Sequence, residues 1–466
     1  MLQDPVPSLL SRATEVLEAE FGELPAIAPS TNVEAESAAI SQVLAATAHR
    51  LADNYPYFHP LYAGQMLKPP HPVARAAYAL AMIVNPNNHA RDGGRASTEM
   101  EIEAVSGIAS MFGWGNSPGS YLGHLTSSGT IANLEALWVA GQLAPGRRIL
   151  ASAQAHYTHN RISAVLQVPF ASIPTDNRGR MSLDALETEL RKGDVGAVVA
   201  TLGTTGIGAV DPLPQILALR AKYGFRVHVD GAYGGYFRLI PDALDEPARQ
   251  AYAVIDQADS IVVDPHKHGL QPYGCGCVLF RDPAVGRFYK HDSPFTYFTS
   301  KQLHLGEISL ECSRAGASAV ALWATQQLLP LTIGGEFARG LAQGRAAALE
   351  LASRLRDDAA GRFQLLAAGP PELDIVVWKL SAESPEKASQ LAQQIFAACA
   401  KRDLHLALVE LPLAWFTPSV GVHSADSETS RLVTCLRSVL MKPEHKAWLD
   451  RIWDRFSAAS AEVLGE

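Results

Sequence analysis

Two ionisable side chains in the middle of the chain each follow a short apolar segment. Lys267 comes a few residues after Ser260–Val263, and Asp230 comes directly after the segment that begins at Phe225. Short apolar runs rich in β-branched residues are typical of buried parallel strands. Because the carboxyl ends of parallel strands open into one shared crevice, we expect Lys267 and Asp230 to face a common ligand.

These two residue types indicate a particular cofactor. A lysine can form a Schiff base with the aldehyde of pyridoxal phosphate (PLP), and an aspartate can pair with the protonated ring nitrogen. Gly231 and Ala232 directly follow Asp230 and are small enough to leave space beside it. The sequence therefore predicts a PLP site in which Lys267 and Asp230 are catalytic and Ala232 lines the cofactor.

A phosphate site is predicted near Ser128. Ser128, Gly129 and Thr130 form a small-residue turn before an apolar helix. The free backbone N–H groups of such a turn favour an anion, so we expect these three residues to hold the cofactor phosphate. His266, next to Lys267, is expected to reach the phosphate from the lysine turn.

Two further residues follow predicted strands at the same edge of the sheet. His156 is expected to stack on the cofactor ring, and Thr205 to hydrogen-bond either the substrate carboxylate or the ring oxygen. Each assignment has a simpler alternative when taken alone: Ser128 as a helix cap, His156 as a surface histidine, Lys267 as a solvated lysine. The interpretation as a site therefore depends on these residues occurring together.

The elements that must position these residues alternate between strands and helices. Strands are predicted at Arg148–Ser152, Pro169–Ile173, Ala197–Leu202, Phe225–Val229, Ser260–Val263 and Gly276–Phe280. Helices such as Leu183–Arg191 and Leu213–Tyr223 lie between them. This βαβ order predicts an α/β fold with a mainly parallel sheet.

The pattern differs at both ends of this region. Residues 1 to about 50 have helical apolar spacing, and the chain after about residue 335 mixes long helices with the predicted strands Leu373–Leu380 and Leu404–Leu411, followed by closing helices. We therefore predict an N-terminal helical segment (1–65), a large cofactor-binding domain (66–335) and a small C-terminal α+β domain (336–466).

The composition is that of an ordinary soluble protein. The chain has 466 residues, 47% hydrophobic and 18% charged, with a formal charge of −8 and a pI near 6.0. Without a clustered basic face, nucleic acid and anionic membranes are not expected partners. No signal peptide or membrane span is recognised, so a cytoplasmic location is expected.

The five cysteines do not form the pattern of a disulfide framework. Cys275 and Cys277 could be read as metal ligands, but no second ligand pair lies near them in the sequence. We therefore interpret them as small apolar residues of a strand, and no metal is expected.

Five motifs of the chain resemble those of the group II amino-acid decarboxylases, which are fold-type I PLP enzymes. The motifs are SSGTIANL with Thr130, AHYTHN with His156, TLGTTGIGAVD with Thr205, HVDGAY with Asp230 and DPHKHG with Lys267. They occur in that family's order and spacing, and the resemblance covers roughly Tyr55 to Leu380. Five motifs in register are much more specific than any one of them.

The resemblance implies a seven-stranded sheet, removal of the α-carboxylate of an L-amino acid as CO₂, and a homodimer with the site at the subunit interface. The N-terminal segment is then expected to pack on the partner subunit. In the family a flap tyrosine supplies the proton to Cα. Tyr297 matches that position, with Tyr289 as a less favoured substitute.

The substrate is less well determined by the sequence. Tyr57, Phe58 and Tyr62 match the family's substrate-wall segment and favour an aromatic amino acid such as tyrosine. An acidic substrate would need a cation, which Lys68, Arg91 or Arg95 could supply.

Two departures from the family pattern also bear on the reaction. His268 stands where many members have Trp, and Asp264 stands where Asn is frequent. His268 is closer to the archaeal tyrosine/aspartate decarboxylase and sphingosine-phosphate lyase branches, and Asp264 places a carboxylate near the expected phosphate. A carbon–carbon lyase of the latter type, or a cofactor-binding protein without turnover, are therefore the alternative functions.

Overall fold

The computed structural model describes residues 4–25, 33–115, 119–290, 309–366, 369–416 and 431–465. Four helices precede the first strand: α1 (Val6–Glu20), α2 (Val33–Leu51), α3 (Pro72–Val84) and α4 (Arg95–Met111). Helix α1 packs against α3, whereas every residue of α2 from 36 to 51 is exposed.

A seven-stranded sheet forms the centre of the chain, as expected. Its strands are β1 (Leu122–Thr126), β2 (Arg148–Ser152), β3 (Phe170–Ile173), β4 (Val195–Thr201), β5 (Arg226–Asp230), β6 (Ser260–Val263) and β7 (Gly276–Phe280). The spatial order is β1-β7-β6-β5-β4-β2-β3. Strands β2 to β6 pair in parallel, and β7 is antiparallel to both of its neighbours.

The helices that alternate with these strands are α5 (Gly129–Leu143), α6 (Thr158–Val165), α7 (Leu183–Leu190), α8 (Leu213–Tyr223) and α9 (Glu246–Ala253). Helix α10 (Gly316–Leu328) follows the sheet and packs on α3 and α4. Strands β4 and β6 are buried along their whole length, as expected for parallel strands covered on both faces. Helix α8 ends where Gly224 adopts a left-handed conformation with φ of 73°.

The six predicted strands correspond to β2–β7 within two residues at each end. Strand β1 is not predicted, because Gly123 and His124 interrupt its apolar pattern. Its position depends on pairing with β7, where His124 lies opposite Val278. Such pairing across more than 150 positions of sequence is not a local property of the chain.

A second, four-stranded antiparallel sheet follows. Its strands are β8 (Phe363–Leu365), β9 (Ile375–Leu380), β10 (Ala407–Pro412) and β11 (Leu432–Val439), in the order β10-β11-β9-β8. Three helices accompany it: α11 (Glu336–Arg356), α12 (Pro385–Ala400) and α13 (His445–Leu464). The prediction of only helices after Leu411 is wrong, because the apolar residues of β11 are buried between β10 and β9.

The fold class expected from the sequence is therefore observed: an α/β unit with a mostly parallel seven-stranded sheet, and a smaller α+β part. In the part of the chain that the structure describes, no helix has the length and apolar character needed to cross a bilayer.

Candidate active site

A cleft lies at the carboxyl ends of β4, β5 and β6 and at the N-terminus of α5. We call it the Lys267 cleft. It encloses about 620 Å³ including its open mouth, which is within the usual size range of small-molecule sites. All nine residues predicted to contact the cofactor line it: Ser128, Gly129, Thr130, His156, Thr205, Asp230, Ala232, His266 and Lys267.

Asp230, the last residue of β5, is buried at the floor of this cleft. Its Oδ2 lies 2.8 Å from Nε2 of His159, and its Oδ1 accepts a hydrogen bond of 3.0 Å from the Ala232 backbone N–H. Burial by itself would raise the pKa of Asp230. The hydrogen bond and charge of His159, the charge of Lys267 and the Ala232 N–H outweigh burial, and the pKa is lowered. The carboxylate therefore keeps its charge at neutral pH.

Lys267 lies on the turn after β6, and its Nζ is 3.0 Å from Oδ2 of Asp264. The neighbouring His266 fixes the turn, because its backbone N–H and its Nδ1 lie 3.1 and 2.7 Å from the carbonyl oxygen of Cys275. At Gly269 a Cβ would lie 2.5 Å from both Pro265 Cα and the Tyr236 hydroxyl. The turn therefore requires glycine at this position.

His156 lies between β2 and α6. Its Nδ1 accepts a hydrogen bond of 3.3 Å from the Thr158 backbone N–H and lies 2.6 Å from the Thr158 hydroxyl. The ring proton is then on Nε2. Burial lowers the pKa of His156, so a neutral imidazole lines the cleft at pH 7.

Thr205 belongs to the loop after β4, which is held from the second sheet. Arg437 on β11 donates hydrogen bonds to the carbonyl oxygens of Thr205 (2.7 Å), Gly206 (2.9 Å) and Gly64 (3.1 Å). Gly203 in the same loop has φ of 101°, a conformation that favours glycine. No local pattern of the sequence marks Arg437, because its partners are more than 200 positions away.

The predicted substrate-wall residues lie outside the Lys267 cleft. Tyr57 and Tyr62 pack edge to face at 4.8 Å, and Phe58 is 48% exposed. None of the three lines the cleft, because backbone pairing between Tyr62 and His405 holds this segment against the second sheet. Tyr273 lies between the cleft and the wall residues, with its ring 4.8 Å from that of His266. Burial raises the pKa of Tyr273, and the nearby Asp264 and Tyr57 raise it further.

The predicted cations and Tyr289 do not line the cleft either. Lys68 lines a separate cleft with His268 and Lys442, Arg91 pairs with Glu99 on the surface, and Arg95 is exposed. Tyr289 is buried with its ring 5.0 Å from Trp138. Tyr297 lies outside the described residues.

The sequence prediction did not include six of the residues that line the cleft. These are Asn133, Thr158, Thr201, Gly203, Tyr233 and Asp264. It also missed His159, the partner of Asp230. A usable signal was available for His159, because it lies three positions after His156 in AHYTHN, and that spacing brings side chains together at the start of a helix.

Residues 54–380 match the family model described as the pyridoxal-dependent decarboxylase conserved domain. The chain belongs to the pyridoxal-dependent decarboxylase family. The resemblance seen in the sequence motifs is thus confirmed, and the cofactor of the family is PLP.

Three relatives illustrate the range of the family. The L-tyrosine decarboxylase of Enterococcus faecium is 28% identical over 64% of this chain and 63% of that enzyme, so the match spans less than two thirds of its length. The probable L-tyrosine/L-aspartate decarboxylase of Methanothermobacter thermautotrophicus is 29% identical over 71% of this chain and 86% of that protein. The L-2,4-diaminobutyrate decarboxylase of Rhizobium meliloti is 31% identical over 70% of this chain and 67% of that protein.

Solved structures confirm the fold. The Oryza sativa TDC structure with PLP and tryptamine has a TM-score of 0.76 at 18% identity, and the match covers 99% of each chain. The Lys267 cleft also has the features that PLP requires. It offers an ionised buried carboxylate, an amine within the same cavity, and a helix N-terminus lined by small residues.

Proposed function

We propose that this chain is a PLP-dependent α-decarboxylase that converts an L-amino acid into an amine and CO₂. The observation that carries the proposal is that Lys267 and Asp230 line one cleft with His156 and the N-terminus of α5. Bound PLP supplies a sink for the electron pair that the departing carboxylate leaves on Cα. The protein must hold the cofactor, align the scissile bond and deliver a proton.

These tasks are assigned to residues as follows. The Lys267 amine holds the cofactor covalently, and the ionised Asp230 carboxylate keeps the proton on the ring nitrogen. His156 covers a ring face, while Ser128, Gly129 and Thr130 hold the phosphate.

The contacts to the substrate complete the assignment. Thr205 hydrogen-bonds the substrate carboxylate or the ring oxygen, and its loop is fixed by Arg437. Holding the carboxylate perpendicular to the ring selects the bond that breaks. Tyr297 is proposed as the residue that protonates Cα.

We propose an aromatic L-amino acid, such as tyrosine, as the substrate. Tyr57 and Tyr62 lie outside the cleft next to Tyr273, and one relative is named a tyrosine decarboxylase. An acidic substrate is the alternative, since another relative is named for tyrosine and aspartate. Among the described residues, none of Lys68, Arg91 and Arg95 lines the cleft to bind a second carboxylate.

A lyase acting on a phosphorylated substrate is less well supported. It would need a basic pocket for the substrate phosphate in addition to the cofactor phosphate. Within the described ranges, Lys267 is the only lysine or arginine that lines the cleft.

The decisive experiment measures CO₂ release from L-tyrosine, L-tryptophan, L-glutamate, L-aspartate and L-2,4-diaminobutyrate by the purified protein with PLP. We expect release from an aromatic substrate. Lys267→Ala should lose both CO₂ release and the yellow absorbance of the bound cofactor. Tyr297→Phe should keep the yellow absorbance and divert the reaction to oxidative or transamination products. A yellow wild-type protein that releases no CO₂ from any amino acid would exclude the proposed reaction.

Two properties of the whole protein belong to the proposal. We propose a homodimer in which α2 packs on the partner subunit, because the apolar residues of this helix have no cover within the described chain. We also propose a cytoplasmic location, because all five cysteines are free thiols, as is usual in a reducing compartment.

A further inference from the structure

Asp264 lines the Lys267 cleft, yet the proposed reaction gives it no role. Its Oδ2 lies 3.0 Å from Lys267 Nζ and 3.5 Å from His266 Nε2. Its Oδ1 is buried and has no hydrogen-bond partner among the described residues. A buried carboxylate with one unsatisfied oxygen is costly unless a cation compensates it. Asp264 therefore depends on the Lys267 ammonium.

The same carboxylate lies against the N-terminus of α5. A Cβ on Gly129 would lie 2.5 Å from both carboxylate oxygens of Asp264, so the side chain packs directly onto the first residue of the helix. The first N–H groups of a helix have no intrahelical partner and favour an anion. This helix end is also where Ser128, Gly129 and Thr130 are proposed to hold the cofactor phosphate. Two anions must therefore share one helix end when PLP is bound.

Cofactor binding also changes the partner of Asp264. Under the proposed function the Lys267 nitrogen condenses with the cofactor aldehyde and releases water, so it no longer offers Asp264 the three N–H donors of an ammonium group. We propose that Asp264 couples PLP binding to the uptake of one proton, which is held between the Asp264 carboxyl group and the cofactor phosphate. The proton comes from the solvent and forms an O–H bond on one of the two groups, and the only other bond change is the condensation of the Lys267 amine with the aldehyde, which releases water.

The other groups that face Asp264 carry no positive charge that could neutralise the Asp264 carboxylate and the cofactor phosphate. Burial lowers the pKa values of His156 and His266, which are therefore neutral at pH 7. Burial raises the pKa values of the remaining titratable groups that sense the Asp264 charge, so these too are uncharged: Tyr236, Tyr273, Cys275 and Cys277. Lys267 is the cation that the described residues offer to Asp264.

The test uses cofactor-free protein titrated with PLP and, separately, with pyridoxal. Pyridoxal reacts with the same lysine but has no phosphate. Its binding therefore measures the protons gained or lost when the lysine reacts with the aldehyde. Calorimetry in two buffers of different ionisation enthalpy gives the number of protons taken up, and absorbance titrations between pH 6.5 and 9 give the dissociation constants.

For the wild type we expect PLP binding to be accompanied by the uptake of about one proton more than pyridoxal binding. For each unit that the pH rises, the affinity for PLP should therefore fall by about tenfold relative to the affinity for pyridoxal. In Asp264→Asn, this difference between the two ligands should disappear, and PLP should bind more tightly than to the wild type at pH 8. Asp264→Ser is a second variant that removes the charge with a smaller side chain, and thermal unfolding of each cofactor-free variant reports its folding.

Equal proton uptake from PLP in the wild type and both variants would overturn the proposal. So would an Asp264 effect of the same size with pyridoxal, because Asp264 would then act only through Lys267. A failure of the proposed decarboxylation is distinguishable, since these titrations require only cofactor binding.

Discussion

At the scale of single residues, the charge of Asp230 depends on its neighbours. The carboxylate is buried, which opposes ionisation, but His159, Lys267 and the Ala232 N–H lower its pKa. His159 lies in turn against His228, whose pKa burial lowers to about 3 and which contacts Asn133 and Ser260. The histidine that pairs with Asp230 is therefore packed against a neutral, hydrogen-bonded imidazole.

We expect His159→Leu to raise the pKa of Asp230, because it removes the hydrogen bond that opposes burial. Only the ionised carboxylate pairs with the protonated ring nitrogen, so PLP affinity should fall by up to about tenfold for each pH unit below the raised pKa. Absorbance titration of the cofactor-free protein measures this. His159→Gln keeps an N–H donor and should recover most of the affinity. Equal losses in the two variants would argue against the electrostatic role.

At the scale of secondary-structure elements, the N-terminus of α5 both begins a helix and forms part of the cleft. The Ser128 hydroxyl accepts a hydrogen bond of 3.3 Å from the Ile131 N–H. Helix α12 begins in the same way, with the Ser384 hydroxyl accepting from the Lys387 N–H at 3.1 Å, but it lies on the second sheet. The two helices therefore offer a matched pair of caps, only one of which lines the Lys267 cleft.

We expect Ser128→Ala and Ser384→Ala each to lower the free energy of unfolding of the cofactor-free protein by about 1 kcal/mol, the usual cost of losing a cap. Only Ser128→Ala should also weaken PLP binding, by about tenfold, because it removes a hydroxyl from the proposed phosphate site. Urea unfolding and PLP titration measure the two effects. If PLP affinity were unchanged in Ser128→Ala, this serine would be a helix cap alone.

At the scale of the whole molecule, α2 has no apolar cover within the described chain. Ile40, Val43, Leu44 and Leu51 are each about 60% exposed, and an isolated helix of this length is marginally stable in water. A second copy of the chain would cover these side chains and is the partner that the family resemblance implies.

We expect the wild-type protein to have a solution mass of twice 50.0 kDa, measured by light scattering at micromolar concentration. Val43→Glu should shift it toward the single-chain mass, because dimer formation would bury the new charge. Gln42→Glu adds the same charge at an exposed polar position of the same helix and serves as the control. A monomeric wild type, or a dimer that Val43→Glu does not weaken, would contradict this role of α2.

The sequence by itself determined the parts of the protein that depend on local pattern. Apolar β-branched runs predicted β2 to β7, and the polar residues that end β5 and follow β6 predicted where Asp230 and Lys267 would meet. This works because parallel strands have one common carboxyl edge, so a residue's place on its strand fixes its place in the cleft.

Tertiary structure decided what depends on contacts between distant segments. Strand β1 forms because β7 pairs with it, and Tyr57, Phe58 and Tyr62 lie outside the cleft because the pairing of Tyr62 with His405 holds their segment against the second sheet. The contacts of Arg437 with the Thr205 loop and of Asp264 with the start of α5 join residues more than 100 positions apart. Hydrogen bonds and charge pairs of this kind leave no periodic trace in the sequence, because their partners are chosen by the packing of whole elements.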